Sequence, residues 1–333
     1  FLIFFQGVDM WAIICNAWGG TGELEFKEIP EPAMIELGVR IGIKASGVNF
    51  ADSLIIEGKY QVKPQHPFSP GLEVAGVVIE CSDGVTRVKP GDRVMAMVPY
   101  GGFAEQVVAN ESDVFVIPDT MDFVTAAGFP VTYGTSYIGL KNKLEIKPGE
   151  NLLITGASGG VGLTAVELAK LMGANVIGAA GGPEKLNTVK LAGADHTIDY
   201  LKEDVRARVK IITEGKGVDA VFEPVGGDIF ESAMRAIAQM GRILVVGFSS
   251  GQVSHIPANI LLVKNITVIG YYWGAHRILS PRLIEESFVE LIEWYQAGKL
   301  SPVITDTFDL EDADKAIDKL KNRKSKGKLV LKM

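Results

Sequence analysis

The chain has 333 residues, 47% hydrophobic and 22% charged, which is enough apolar material for two domain cores. Its formal net charge of −7 makes it a poor candidate for holding nucleic acid by nonspecific phosphate attraction, though it leaves room for a local basic pocket for a phosphate. With only two cysteines, Cys15 and Cys81, a disulfide framework and a four-cysteine zinc lobe are excluded, and no apolar run is long enough to span a bilayer.

Phe5-Gln6-Gly7 resembles the scar of a cleaved expression tag, so residues 1–9 are set aside and Met10 is taken as the natural start. Without a leader or a span, the expected compartment is the cytoplasm. Residues 10–131 read as β-rich. Short β-branched runs at 74–79 and 94–98 lie between glycine and proline punctuation, and Lys89-Pro90-Gly91-Asp92-Arg93 is a turn before a strand. A small barrel or sandwich is expected there.

From 132 to 274 the rhythm changes. Strands at 151–155, 175–179, 220–222, 242–246 and 266–270 alternate with helices at 161–172, 184–191 and 229–238. This βαβ alternation implies a doubly wound parallel sheet, so the fold class is α/β. Two helices, 281–296 and 310–321, and a strand at 328–331 follow. The whole tail, 275–333, is expected to return to the first domain and complete it.

The chemical signal is Thr155-Gly156-Ala157-Ser158-Gly159-Gly160-Val161-Gly162, between a strand and a helix. That context is what a dinucleotide fingerprint requires: small residues let the backbone approach a pyrophosphate, and the helix N-terminus offers free N–H groups to it. Ala157, Ser158, Gly159, Gly160 and Val161 are therefore candidate cofactor residues. An NAD-preferring site carries an acid at the end of the second strand. Here Gly178-Ala179-Ala180-Gly181-Gly182 has none, Gly181 leaves room for a phosphate, and Lys185 follows in the next helix, so NADPH is the expected cofactor. Val225, Gly247, Phe248 and Ser249 follow later strand ends, where nucleotide sites gather.

Four segments occur in order and at family separations: Asn49-Phe50-Ala51-Asp52, Pro70-Gly71-Leu72-Glu73-Val74-Ala75-Gly76, Gly91-Asp92-Arg93-Val94 and the fingerprint. From Met10 to Met333 the chain resembles the quinone oxidoreductases of the medium-chain dehydrogenase/reductase superfamily. The resemblance implies a GroES-like catalytic domain, a Rossmann domain, NADPH in the cleft between them and a homodimer joined through the Rossmann domains. It implies that Lys185 and Tyr200, fifteen apart, grip the 2′-phosphate, and that Thr135 touches the nicotinamide at the opening of the helix linking the domains. Asn49 and Tyr60 match polar cleft positions and are the candidate catalytic residues, Asn49 also as a cofactor contact. The alternative readings are a turn residue for Asn49, a half-buried loop aromatic for Tyr60 and a helix cap for Thr135.

Zinc members of the superfamily place a cysteine and a histidine where this chain has Asn49 and Leu72, so no metal is expected and Glu73 reads as a buried structural or cleft carboxylate. Hydride transfer from NADPH to a quinone is the expected chemistry. A 2-alkenal or enone reductase and a non-catalytic NADPH-binding protein are the alternatives. No nucleic-acid or membrane partner is expected. Tyr271-Tyr272-Trp273 is expected either to wall the substrate pocket or to form an interface.

Overall fold

The computed structural model describes residues 9–333. Residues 1–8, most of the segment read as a tag scar, lie outside the described residues, whereas Asp9 opens a strand. The described chain divides into two compact units, one running to Val131 and resuming at Pro302–Met333, the other Thr132–Ser301.

The first unit is built on the strand Gly38–Val48. It pairs antiparallel with Glu73–Cys81, Gln106–Asn110 and Lys328–Lys332. Arg93–Met97 extends the sheet through Glu73–Cys81, as the turn at Lys89–Asp92 suggests, and Asp9–Cys15 forms a separate hairpin with Leu24–Pro30. Alternating apolar residues place Ile41, Val74, Val94 and Ala96 in one cluster. A second cluster joins Val48, Ile55, Phe68, Phe103, Leu329 and Leu331, so the last strand is part of this core. A short helix, Phe50–Ile56, starts directly after Asn49, whose N–H is accepted by Asp52 Oδ2 at 2.7 Å, the backward half of a capping box.

In the second unit six strands form one sheet: β1 (Asn151–Ile154), β2 (Asn175–Ala180), β3 (His196–Asp199), β4 (Val218–Glu223), β5 (Ile237–Val245) and β6 (Thr267–Gly270). Every pairing is parallel, and the spatial order is β3-β2-β1-β4-β5-β6. That is the doubly wound dinucleotide-binding order, reversed in direction between β1 and β4. Leu153, Ile177, Val221 and Ile243 from the inner strands are buried against Phe230 and Met234 of the helix Gly227–Ala236.

The expectation for 275–301 is corrected. Helix Pro281–Gln296 belongs to the second unit, not to the tail that returns to the first. Its buried face explains this. Phe288 packs edge-on to Trp273 at 6.5 Å, Trp294 to Tyr137 at 5.8 Å, and Glu290 accepts from Tyr137 Oη and Lys141 Nζ. Only from Pro302 does the chain rejoin the first unit. β3 and the helices Val205–Ile212 and Ala258–Lys264 have no counterpart in the periodicity reading: only two residues of the strand are buried, and none of the last helix is.

Candidate functional site

β1 ends at Ile154 and the helix Gly160–Leu171 begins six residues later. The turn is tight because Ala157 N–H donates to Ala179 O at 3.0 Å and Gly159 N–H to Gly156 O at 3.0 Å. A Cβ at Gly162 would stand 2.3 Å from Gly156 O, so only glycine allows the helix to start this close to the strand. Gly159 caps the helix without any side-chain acceptor, leaving its first N–H groups open to an anion.

The other expected cofactor residues follow the same strand ends. Gly181 and Gly182 come after β2, Tyr200 after β3, Val225 after β4 and Gly247-Phe248-Ser249 after β5. Since the strands are parallel, these loops lie along one edge of the sheet. Lys185 is in the first turn of the helix Pro183–Leu191. A Cβ at Gly181 would meet Tyr200 Cε2 at 3.1 Å, so the loops after β2 and β3 touch.

Glu223, the last residue of β4, joins two of these pieces, the end of β1 and the turn after β4. It is fully buried. Its Oε1 accepts from Thr155 Oγ1 at 2.9 Å, Val225 N at 2.9 Å and Gly226 N at 3.0 Å. The turn it holds then accepts from the next loop, with Ser249 N on Pro224 O at 3.0 Å and Ser250 N on Val225 O at 2.8 Å. Burial pushes the Glu223 carboxyl above the usual range, against the pull of its donors.

In the first unit Asn49 lies in a buried polar network. Its Nδ2 donates to Glu73 Oε1 at 2.8 Å, and its Oδ1 accepts from Lys328 Nζ at 2.6 Å. Lys328 Nζ also stands 2.5 Å from Glu73 Oε1, and Glu73 Oε2 accepts Val131 N–H at 2.8 Å. The amide of Asn49 is therefore fixed in orientation, with its carbonyl toward the cation and its NH2 toward the anion. Asp52, whose Oδ2 accepts the Asn49 N–H, is fully buried, and its Oδ1 has no hydrogen-bond partner among the described residues. Burial raises its carboxyl to about 7. Tyr60 is half-buried against the apolar cluster of Ile13, Ile55 and Phe68.

With this geometry established, the chain can be set beside known proteins. Residues 36–119 match the model of the alcohol dehydrogenase GroES-like domain, and residues 160–295 match that of the zinc-binding dehydrogenases. The quinone oxidoreductase-like protein 2 homolog of Nematostella vectensis is 43% identical, the alignment covering 96% of this chain and 88% of that protein. The quinone oxidoreductase of Pseudomonas aeruginosa is 33% identical over 95% of this chain and 97% of its own length. Among solved structures, Escherichia coli quinone oxidoreductase complexed with NADPH superposes with a TM-score of 0.92 at 30% identity, covering 97% of this chain and all of that one.

The chain belongs to the quinone oxidoreductase family.

As a member of that family it is an oxidoreductase, with a GroES-like β domain and a Rossmann-type sheet. One of the two matching models is that of the zinc-binding dehydrogenases. Asn49 and Leu72 offer neither thiolate nor imidazole, and the Glu73 carboxylate already has Lys328 as its cation. Among the described residues no group of three or more His, Cys, Asp or Glu side chains is placed to hold a metal. No helix among them is long and apolar enough to cross a membrane.

One expectation about the nicotinamide end is corrected. Thr135 does not open a helix. It is the sixth residue of Pro130–Ile138, buried, with its carbonyl accepting Tyr271 Oη at 3.1 Å, because Pro130 takes the first helical position. Tyr271 and Trp273 are buried in the second unit, where Trp273 lies so close to Gly134 that a Cβ there would stand 2.4 Å from its Cζ2. Only Tyr272 of the trio is exposed. Sequence reasoning missed Lys328, Asp52 and Glu223 as parts of these networks. For Glu223 the signal was present: a charged residue directly after the buried run Ala220-Val221-Phe222 and before Pro224-Val225-Gly226-Gly227.

Proposed function

We propose that this protein reduces quinones by hydride transfer from NADPH, without zinc. The observation that carries the reading is the shared edge of the sheet, where an uncapped helix N-terminus, the Glu223-held turn and Gly181 follow successive parallel strands. Such an edge suits a dinucleotide: N–H groups for the pyrophosphate, and no side chain at 181 to obstruct a 2′-phosphate. The NADPH complex of the Escherichia coli relative supports the choice of cofactor.

In this reading Ala157, Ser158, Gly159, Gly160 and Val161 hold the pyrophosphate, and Lys185 and Tyr200 bind the 2′-phosphate. Val225, Gly247, Phe248 and Ser249 line the nicotinamide half, with Thr135 beside them. NADPH, when bound, supplies the hydride; the protein orients it and keeps water away. Asn49 and Tyr60 are the proposed polar contacts of the catalytic domain. Asn49 is pre-oriented by Glu73 and Lys328, and Tyr60 is the group able to hold an acceptor oxygen or give it a proton. A quinone suits a site with no metal, because its conjugated ring takes up the incoming charge without a Lewis acid. The functional molecule is a homodimer joined along β6.

The test is steady-state turnover of a benzoquinone, a 2-alkenal and an enone, each with NADPH and with NADH, together with direct cofactor titrations. Quinone turnover favouring NADPH is expected, and Lys185→Ala should weaken NADPH by roughly tenfold or more while leaving NADH nearly unchanged. Faster turnover of the alkenal or enone would replace the quinone reading. Equal losses for both cofactors would refute the phosphate grip.

A further inference from the structure

The second strand ends without an acid, but its neighbour ends with one. Asp199 closes β3, buried, and its Oδ1 accepts the N–H of Gly182 at 3.0 Å and of Leu201 at 3.1 Å. One carboxylate oxygen thus clasps the loop after β2 to the loop after β3. Two further bonds brace the clasp. Tyr200 N–H reaches Ala180 O at 3.3 Å, and Asp199 N–H donates to Glu203 Oε2 at 2.9 Å.

The residues flanking this clasp are those read as the phosphate grip. Gly181 precedes Gly182, Lys185 lies in the first turn of the helix that follows it, and Tyr200 sits between Asp199 and Leu201. The spacing between the loops has little slack, since a Cβ at Gly181 would meet both Tyr200 Cε2 and Leu201 Cδ1 at 3.1 Å. A carboxylate beside a phosphate pocket opposes the phosphate when its charge faces outward. Here Oδ1 is turned onto two backbone N–H groups, the strong, charge-assisted kind of hydrogen bond.

We infer that Asp199 is a positioning residue that sets the width of the 2′-phosphate pocket, and through it the preference for NADPH over NADH. The inference rests on the reading of Gly181, Lys185 and Tyr200 given above. NADH lacks the 2′-phosphate, so loosening this clasp is selective, whereas general damage to the sheet weakens both cofactors alike.

The experiment measures Kd for NADPH and for NADH by tryptophan fluorescence quenching on the full chain, in wild type, Asp199→Ala and Asp199→Asn. Alanine removes the acceptor and should raise the NADPH Kd about tenfold or more, with NADH changed by less than about threefold. Asparagine keeps an Oδ1 able to accept both N–H groups and should stay within about threefold of the wild-type ratio. If the alanine chain does not fold, as judged by circular dichroism, Asp199→Ser reads the same ratio with an intermediate loss. An unchanged NADPH/NADH ratio in the alanine or serine variant overturns the inference. So does an asparagine variant that binds NADPH about tenfold more tightly, because the charge would then be acting against the phosphate. A wild type with no preference refutes the underlying grip as well, which separates the two failures.

Discussion

At the scale of single residues, the first unit concentrates charge where solvent is absent. Glu73 and Lys328 are buried, and each is bonded to Asn49. A buried ion pair is weak support for stability as such, because desolvation costs both partners. Its consequence here is orientation: the amide of Asn49 cannot flip without placing its oxygen against the carboxylate. Asp52 adds a second buried acid with Glu73 and Lys328 as its charged neighbours, and burial raises its carboxyl to about 7 from an ordinary 3.8. The unfolded chain releases this proton near pH 4 while the folded chain retains it to about 7. Its contribution to stability is therefore full below about pH 4, is lost as pH rises through 7, and is constant above that. Asp52→Asn should abolish this component. Urea denaturation of both proteins between pH 4.5 and 8 checks it, and a mutant with the wild-type slope would show that Asp52 is ionised throughout.

At the scale of elements, the nucleotide edge depends on loops that hold each other. Glu223 accepts from Thr155 at the end of β1 and from Val225 and Gly226 in the turn after β4. Truncation to alanine would leave two N–H groups and a hydroxyl unsatisfied in a dry environment, at about 1–3 kcal/mol for each group that stays unpaired. Glu223→Ala should accordingly lose several kcal/mol and bind NADPH more weakly. Glu223→Gln should lose about 1 kcal/mol or less, because an amide oxygen can replace Oε1 and burial already disfavours the charge. Thermal denaturation with and without NADPH distinguishes them; equal effects would mean that the carboxylate charge, not its acceptor geometry, is what counts.

At the scale of the whole molecule, β6 is the outermost strand of its sheet, and no charge lies within it. The helix before it, Ala258–Lys264, buries none of its residues, and Leu262 and Val263 are 77% and 67% exposed. An unprotected edge beside apolar side chains favours pairing with a second copy across a twofold axis. Val268→Pro removes one ladder donor from that edge. Light scattering coupled to size exclusion should find a wild-type dimer, with the variant monomeric or insoluble. A wild-type monomer at micromolar concentration, or a variant still dimeric through that edge, would reject the assembly.

What the sequence by itself determined follows from local rules. The fingerprint, the missing acid after β2 and the alternation of apolar runs with amphipathic helices each depend on residues near one another in the chain. They determine the α/β class and place Gly159 and Gly162 at a helix start and Gly181 after a strand. The tertiary structure decided the rest, because the deciding contacts join distant residues. Helix Pro281–Gln296 goes to the second unit because Trp273 and Tyr137 meet its apolar face and Tyr137 and Lys141 bond to its Glu290. Thr135 leaves the helix start because the helix extends back to Pro130. Lys328, 279 positions from Asn49, became its partner because the last strand pairs with Gly38–Val48. Asp199 became a neighbour of Gly182 because β3 lies beside β2, and hydrophobic periodicity specifies that a strand exists, not which strand lies next to it.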